Sequence, residues 1–257
     1  MLQYHMSSTY KEIISFIESL PQGEIFSVKD LTIKKAPTLI YNALSRLTKE
    51  SKIERLSRGK YFIPRKSKFG HIKPSDDKII KYVIEEIYKR TKNKPYFASN
   101  SIFQKLGLTT QITSEIFLIC SIKVPYNITI KNLKFNLIRY KGNWNNKNVK
   151  YYEILYSIQN MDKVPDAIID DVYLKLFAIV SKLTTKEISI LVECSNDFNN
   201  KTKVLLGSIL SLLNYTAPTK MLKIKIKNNY QLRIHFEKKT IPEEIKKYWR
   251  IYEPTSK

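Results

Sequence analysis

Glycine, histidine and cysteine are scarce in this chain, and each scarcity excludes something. Six glycines in 257 residues leave little room for a phosphate-cradling loop, and neither a Walker pattern nor a nucleophile elbow occurs. His5, His71 and His235 stand far from one another and from both cysteines. Metal sites draw such ligands from short, characteristic spacings, so neither a metal nor a cofactor is expected. Cys120 and Cys194 make no disulfide framework. Both sit in apolar runs, which predicts buried free thiols in a reducing cytoplasm. No apolar run approaches the roughly 18–20 residues of a spanning helix, and Met1–Ser8 lacks a basic-then-apolar leader pattern. The expectation is a cytoplasmic chain with no membrane partner. Acidic residues are scarce too, 23 against 45 Lys and Arg, for a formal charge of +22. That imbalance points to an anionic partner, most simply nucleic acid. What the chain does have is 43% hydrophobic residues, enough to bury one large core or two medium ones.

The most informative stretch runs from Pro37 to Pro64. Leu39 or Ile40, with Ala43, Leu44 and Leu47, recurs at helical period after Pro37, a residue suited to a first helical turn. Thr38, Tyr41, Asn42, Ser45 and Lys49 fall together on the opposite face. Two short runs, Ile53–Leu56 and Lys60–Ile63, flank Ser57-Arg58-Gly59 and predict a hairpin with glycine at its turn. A polar-faced helix followed by a basic hairpin is the pattern of a winged helix-turn-helix, with a recognition helix and a wing. Charge focuses there. From Arg46 to Lys68 there are nine basic and two acidic residues, and four of the eight arginines lie between 46 and 65. Phosphate binding needs such a focus.

The remaining chain reads as mixed helix and strand. Ser7-Ser8-Thr9 opens a helix with a Tyr10, Ile13, Ile14, Ile17 and Leu20 stripe, ended by Pro21-Gln22-Gly23. Ser27–Leu31 predicts a short capped helix. Pro64–Ser75 is aperiodic and reads as a linker, giving an N-terminal domain over 1–68 and a second over 69–257. Ser75, Asp76 and Asp77 open a helix over Ile79–Tyr88. Further expectations are a helix over Phe97–Leu106 stopped by Gly107, a strand over Ile116–Ile122, and a hairpin over Tyr126–Leu137 turning at Lys131-Asn132. A polar loop over 141–150 follows. Helices are expected after Pro165, after a capping box at Thr184–Glu187, over Val204–Leu213 and over Ile241–Tyr248. Alternation on both sides of Asn228-Asn229 predicts a hairpin over 221–236 with one basic face. The fold class is therefore α+β, an N-terminal winged helix-turn-helix plus a mixed α/β C-terminal domain.

Three ordered motifs carry a resemblance. Ala43-Leu44-Ser45-Arg46-Leu47 leads into Ile53-Glu54-Arg55-Leu56-Ser57-Arg58-Gly59-Lys60-Tyr61 and Pro64. Phe69-Gly70 and Pro74-Ser75 follow, and then Leu106-Gly107-Leu108-Thr109-Thr110-Gln111. Together they resemble the AbiEi-type antitoxins of bacterial type IV toxin–antitoxin systems, over about residues 10–215. The resemblance implies an N-terminal domain that represses its own operon, on double-stranded DNA of its own promoter carrying inverted repeats. It also implies a C-terminal domain that counters a nucleotidyltransferase-like toxin in abortive infection of phage-infected cells.

The expected DNA-binding set is Thr38, Tyr41, Asn42, Ser45, Arg46 and Lys49 from the helix, with Arg55, Arg58, Lys60 and Tyr61 from the wing. Asp162, Asp166, Asp170 and Asp171 cluster. A carboxylate pair for acid–base work is one reading, and helix N-terminal charges are the favoured one. No catalytic constellation appears, so the chain is not expected to be an enzyme. The alternative to an autoregulating antitoxin is a winged-helix regulator whose second domain senses a ligand or partner through a polar pocket.

Overall fold

The computed structural model describes residues 8–68, 70–121, 126–139, 144–226, 229–238 and 240–254. His5, Ser7, Phe69, Ile122, Gly142, Asn143 and Asn228, invoked above, lie outside the described residues. Helix takes 51% and strand 17%, an α+β chain. It divides into two compact units, residues 1–86 with 129–133 and residues 87–128 with 134–257.

The first unit opens with α1 (Ser8–Ser19), which buries Tyr10, Ile13 and Ile17 on one stripe. Gly23, at a φ of +79°, reverses the chain into β1 (Ile25–Ser27). The expected short helix after it is a single 3-10 turn, Val28–Asp30. Asp30 Oδ2 accepts from both the N–H and the hydroxyl of Ser27, at 2.7 and 2.9 Å. That bond anchors the turn's last residue back on its entry point. α2 (Pro37–Lys49) begins on its proline and buries Ile40, Ala43, Leu44 and Leu47. β2 (Glu54–Ser57) and β3 (Lys60–Phe62) follow. β3 lies between β1 and β2 in an antiparallel three-stranded sheet. Phe26, Leu31, Ile53, Tyr61 and Ile63 join the α1 and α2 stripes in one core.

The Pro64–Ser75 stretch corrects the linker reading. β4 (Arg65–Ser67) and β5 (Gly70–Ile72) pair antiparallel there, and His71 Nδ1 meets Glu54 Oε1 at 2.7 Å. α3 (Asp76–Thr91) comes next, and the units part within it, between Glu86 and Ile87.

A four-stranded sheet is ordered β6-β7-β9-β8, with all but residues 129–133 of its strands in the second unit. Its strands are β6 (Tyr96–Ala98), β7 (Glu115–Cys120), β8 (Tyr126–Ile130) and β9 (Leu133–Arg139). β6 pairs antiparallel with β7, and β7 pairs parallel with β9. The helix expected from Phe97 starts later, as α4 (Ser99–Lys105), because residues 96–98 are β6. Gly107 follows at a φ of +66°.

Among the described residues six further α-helices complete the unit: α5 (Val149–Gln159), α6 (Ile169–Ser181), α7 (Thr185–Cys194), α8 (Asn200–Leu212), α9 (Thr216–Ile224) and α10 (Glu243–Trp249). α7 carries the capping box anticipated at Thr184 and Glu187. α5 occupies ground read as polar loop and unassigned sequence. Trp144, within that loop, is buried, donates Nε1–H to Lys94 O at 2.8 Å and meets Tyr96 edge to face at 5.3 Å. The hairpin expected over 221–236 is overturned. Leu222 and Ile224 belong to α9, while β10 (Leu232–Arg233) pairs parallel with β11 (Ile251–Tyr252).

Two seats fix the end of this unit. Asp170, fully buried, accepts from the N–H groups of Glu237 at 2.8 Å and Lys238 at 3.2 Å, and from the Thr240 hydroxyl. Trp249 lies against Gly207 of α8, where any Cβ would stand 2.2 Å from its ring. Its Nε1 donates to Ser211 Oγ at 2.9 Å.

Candidate nucleic-acid interface

The core stripe of α2 fixes what its other face must present. With Ile40, Ala43, Leu44 and Leu47 buried, Thr38, Tyr41, Asn42, Ser45, Arg46 and Lys49 are all exposed. Leu39 joins them at 49% exposure. Thr38, Asn42, Ser45 and Lys49 follow one another at helical spacing, so they form one polar row of donors and acceptors.

Arg46 is the most constrained of the set. Its Nε donates to Glu50 Oε1 at 2.9 Å, and its guanidinium lies 4.6 Å above the Tyr10 ring. Glu50 also accepts from the Tyr10 hydroxyl and pairs with Lys52 at 3.3 Å. The Tyr10 hydrogen bond, then Arg46, hold the Glu50 carboxyl down at about 2. This network fastens the last turn of α2 to α1 and leaves Arg46 43% exposed along its side chain.

The β2–β3 hairpin turns at Arg58-Gly59, with Gly59 at a φ of +70° and its carbonyl accepting from Val28 N at 3.0 Å. A β-carbon is disfavoured at that φ. Arg55 and Arg58 are exposed. Arg55 Nε reaches only the carbonyl of Ser57, at 3.4 Å, and neither arginine is paired with a carboxylate among the described residues.

Two residues of the expected set sit elsewhere. Tyr61 is 6% exposed and stacked on Phe26 at 5.9 Å, so it is a core residue. Side chains alternate along a strand, and Tyr61 takes the inward position next to Lys60. Lys60 is turned to Glu86 at 3.7 Å and lies 5.2 Å above the Tyr82 ring. Of Leu39 and Ile40, either of which could open the core stripe, Ile40 is the buried one and Leu39 faces out with the polar row.

The clustered aspartates of the second unit, Asp162, Asp166, Asp170 and Asp171, are engaged structurally. Asp162 pairs with Lys201 at 2.7 Å, Asp171 with Lys238 at 3.0 Å, and Asp166 with Gln111. The Thr109 hydroxyl donates to Pro165 O at 3.3 Å, so the Thr109–Gln111 turn is tied to the segment before α6. Cys120 and Cys194 are free and buried, and burial pushes their thiols up to about 12 and about 11. Among the described residues, no three His, Cys, Asp or Glu side chains come together to hold a metal ion, and no helix is long and apolar enough to cross a membrane.

Comparison with known proteins adds a fold likeness. The crystal structure of the RV2827C protein from Mycobacterium tuberculosis superposes with a TM-score of 0.51 at 11% identity, over 89% of this chain and 85% of that one. At that identity the likeness speaks for the fold alone. No curated protein matches the sequence. A family of unknown function, DUF6088, matches residues 12–188, well over half of the chain, and the chain belongs to that family.

Proposed function

We propose that the first unit is a winged helix-turn-helix that binds duplex DNA, and that the protein is the autorepressing antitoxin of a type IV toxin–antitoxin pair. The observation that carries the DNA reading is the exposed polar row of α2 beside two hairpin arginines without carboxylate partners among the described residues. In this reading α2 enters the major groove. Asn42 bonds an adenine edge, and Ser45 and Lys49 extend the contact along the helix. Arg55 and Arg58 hold the backbone or minor groove through the hairpin. Tyr61 and Lys60 act from behind, keeping β3 in place. The second unit counters a nucleotidyltransferase-like toxin by contact rather than by turnover.

A gel-shift titration on the upstream promoter tests this. Arg58→Ala should weaken binding to all sequences and flatten the salt slope by about 0.9, one lost phosphate contact. Asn42→Ala should cost roughly 1–3 kcal/mol at one base position. An unchanged titration for both variants would refute the assignment. A ligand-sensing second unit is the rival reading. It draws on a cleft of about 370 Å³ lined by Asn145, Asn148, Tyr152, Glu193 and Asp197. That reading gains if operator affinity changes when small polar metabolites are added.

A further inference from the structure

α9 is apolar on two sides. It packs on α8 and α7 and buries Thr219 and Leu222 against them. Ala217, Met221 and Ile224 recur at i, i+4 and i+7, so they share the opposite side, and all three are exposed. Met221 is 53% and Ile224 85% exposed. A helix on a domain surface ordinarily turns polar residues to water. The second apolar stripe of α9 therefore adds nothing to the fold of the unit that carries it.

The stripe borders a concavity. The Tyr248 ring of α10 is half exposed and lies 4.7 Å from Lys223 Nζ, which also donates to Tyr248 O. Tyr215, Thr219, Lys220 and Tyr248 line a cavity of about 310 Å³, large enough for a leucine or phenylalanine side chain. Every charge on α9 and its C-terminal cap is positive: Lys220, Lys223 and Lys225. No Asp or Glu occurs between Asp197 and Glu237, against seven Lys and Arg. Lys220 and Lys225 are exposed and have no carboxylate partner among the described residues.

We propose that this face of the second unit docks an acidic amphipathic helix of a protein partner. The apolar side of that helix packs on Ala217, Met221 and Ile224, and one large side chain enters the cavity beside Tyr248. Asp or Glu residues flanking it meet Lys220 and Lys225. Charge complementarity selects this occupant. A second copy of a chain of charge +22 would set lysine against lysine across a twofold axis. A nucleic-acid backbone makes no use of an apolar stripe, and a lipid surface makes none of a concave cavity. The inference stands on the second unit alone and rests on neither the DNA nor the antitoxin reading.

The test uses the full chain and anisotropy titration of a fluorescent peptide of about 18 residues, with leucine and phenylalanine at helical spacing and glutamate elsewhere. Two controls carry the same residues shuffled, so that the stripe is lost, or the same stripe with lysine for glutamate. The first peptide should bind and both controls should bind at least about tenfold more weakly. Ile224→Asp should weaken the first peptide by about tenfold or more. The double variant Lys220→Glu, Lys225→Glu should lose the glutamate peptide and gain the lysine one. Lys182→Ala, an exposed lysine at the end of α6, should change nothing. Urea unfolding checks that each variant folds, and Met221→Ser decides if Ile224→Asp does not. The proposal is overturned by no binding of the first peptide, by equal binding of the shuffled one, or by unchanged affinity of Ile224→Asp. Binding to phosphatidylglycerol vesicles, or a dimer in sedimentation equilibrium, overturns it too if Ile224→Asp abolishes it, because the face would then belong to a membrane or to a second copy.

Discussion

Gly207→Ala is a substitution whose sign tests the packing of the second unit. In a helix interior, alanine is better than glycine by about 1 kcal/mol, so a simple propensity argument predicts stabilisation. The structure predicts the reverse. A Cβ on residue 207 would stand 2.2 Å from two ring carbons of Trp249 and 2.6 Å from a third, against the roughly 3.5–4.0 Å of ordinary carbon contact. The indole must therefore withdraw by more than about 1 Å. It is 1% exposed and tied to Ser211 Oγ, so withdrawal breaks that bond, worth about 0.5–1.5 kcal/mol. Overpacking adds about 1–3 kcal/mol. Set against the propensity gain, the net loss is about 1–3 kcal/mol. Urea unfolding followed by far-ultraviolet circular dichroism measures it. The same substitution in a Trp249→Ala background meets no ring, so there it should stabilise by about 1 kcal/mol. Neutral or favourable Gly207→Ala in the wild type would refute the reasoning. So would an equal loss in both backgrounds, because the clash would then not be with Trp249.

Asp170→Ala should cost about 2–5 kcal/mol, since it strands the N–H groups of Glu237 and Lys238 in a buried place; urea unfolding followed by tryptophan fluorescence reads it, both tryptophans lying in that unit. Glu50, held at about 2 in the folded chain against 4.5 unperturbed, stabilises the α1–α2 pairing above about pH 4.5 and loses that contribution as pH falls towards about 2. Hydrogen exchange of the α1 and α2 amides should therefore quicken over that window in the wild type and much less in Glu50→Gln; identical pH profiles would remove Glu50 from the account. Neither cysteine should react readily with an aromatic disulfide reagent at neutral pH, both being buried with thiols pushed up to about 12 and about 11, and both should react on unfolding.

What was legible in the sequence was whatever carried its own punctuation. Pro37, Gly59 and the Thr184 capping box each fix a local geometry, and the elements they bound appear where expected. α5 carried no such mark. Tyr151, Tyr152, Ile154, Leu155 and Ile158 bury nearly its whole circumference, and a helix buried all round shows no period. The 221–236 segment failed for the opposite reason. Leu222 and Ile224 alternate like a strand, yet Leu222 is fully buried and Ile224 is 85% exposed, and packing on α8 chose the helix. β4 and β5 were hidden because strands of three residues are too short to show apolar alternation. At the candidate interface the α2 face was legible as a helical row. The β2–β3 hairpin was less so, since alternation hid Tyr61 inside and a distant acid, Glu86, drew in Lys60.

The return of residues 129–133 to the first unit has a consequence for the order of events on the ribosome. That unit is not complete when its first 86 residues have been made. At about 5–20 residues per second, its last piece arrives roughly 2–9 s later. β7, meanwhile, has only β6 to pair with until β9 is synthesised. Both units thus wait on the same short hairpin, and a pause in translation over 87–128 would hold both of them open together.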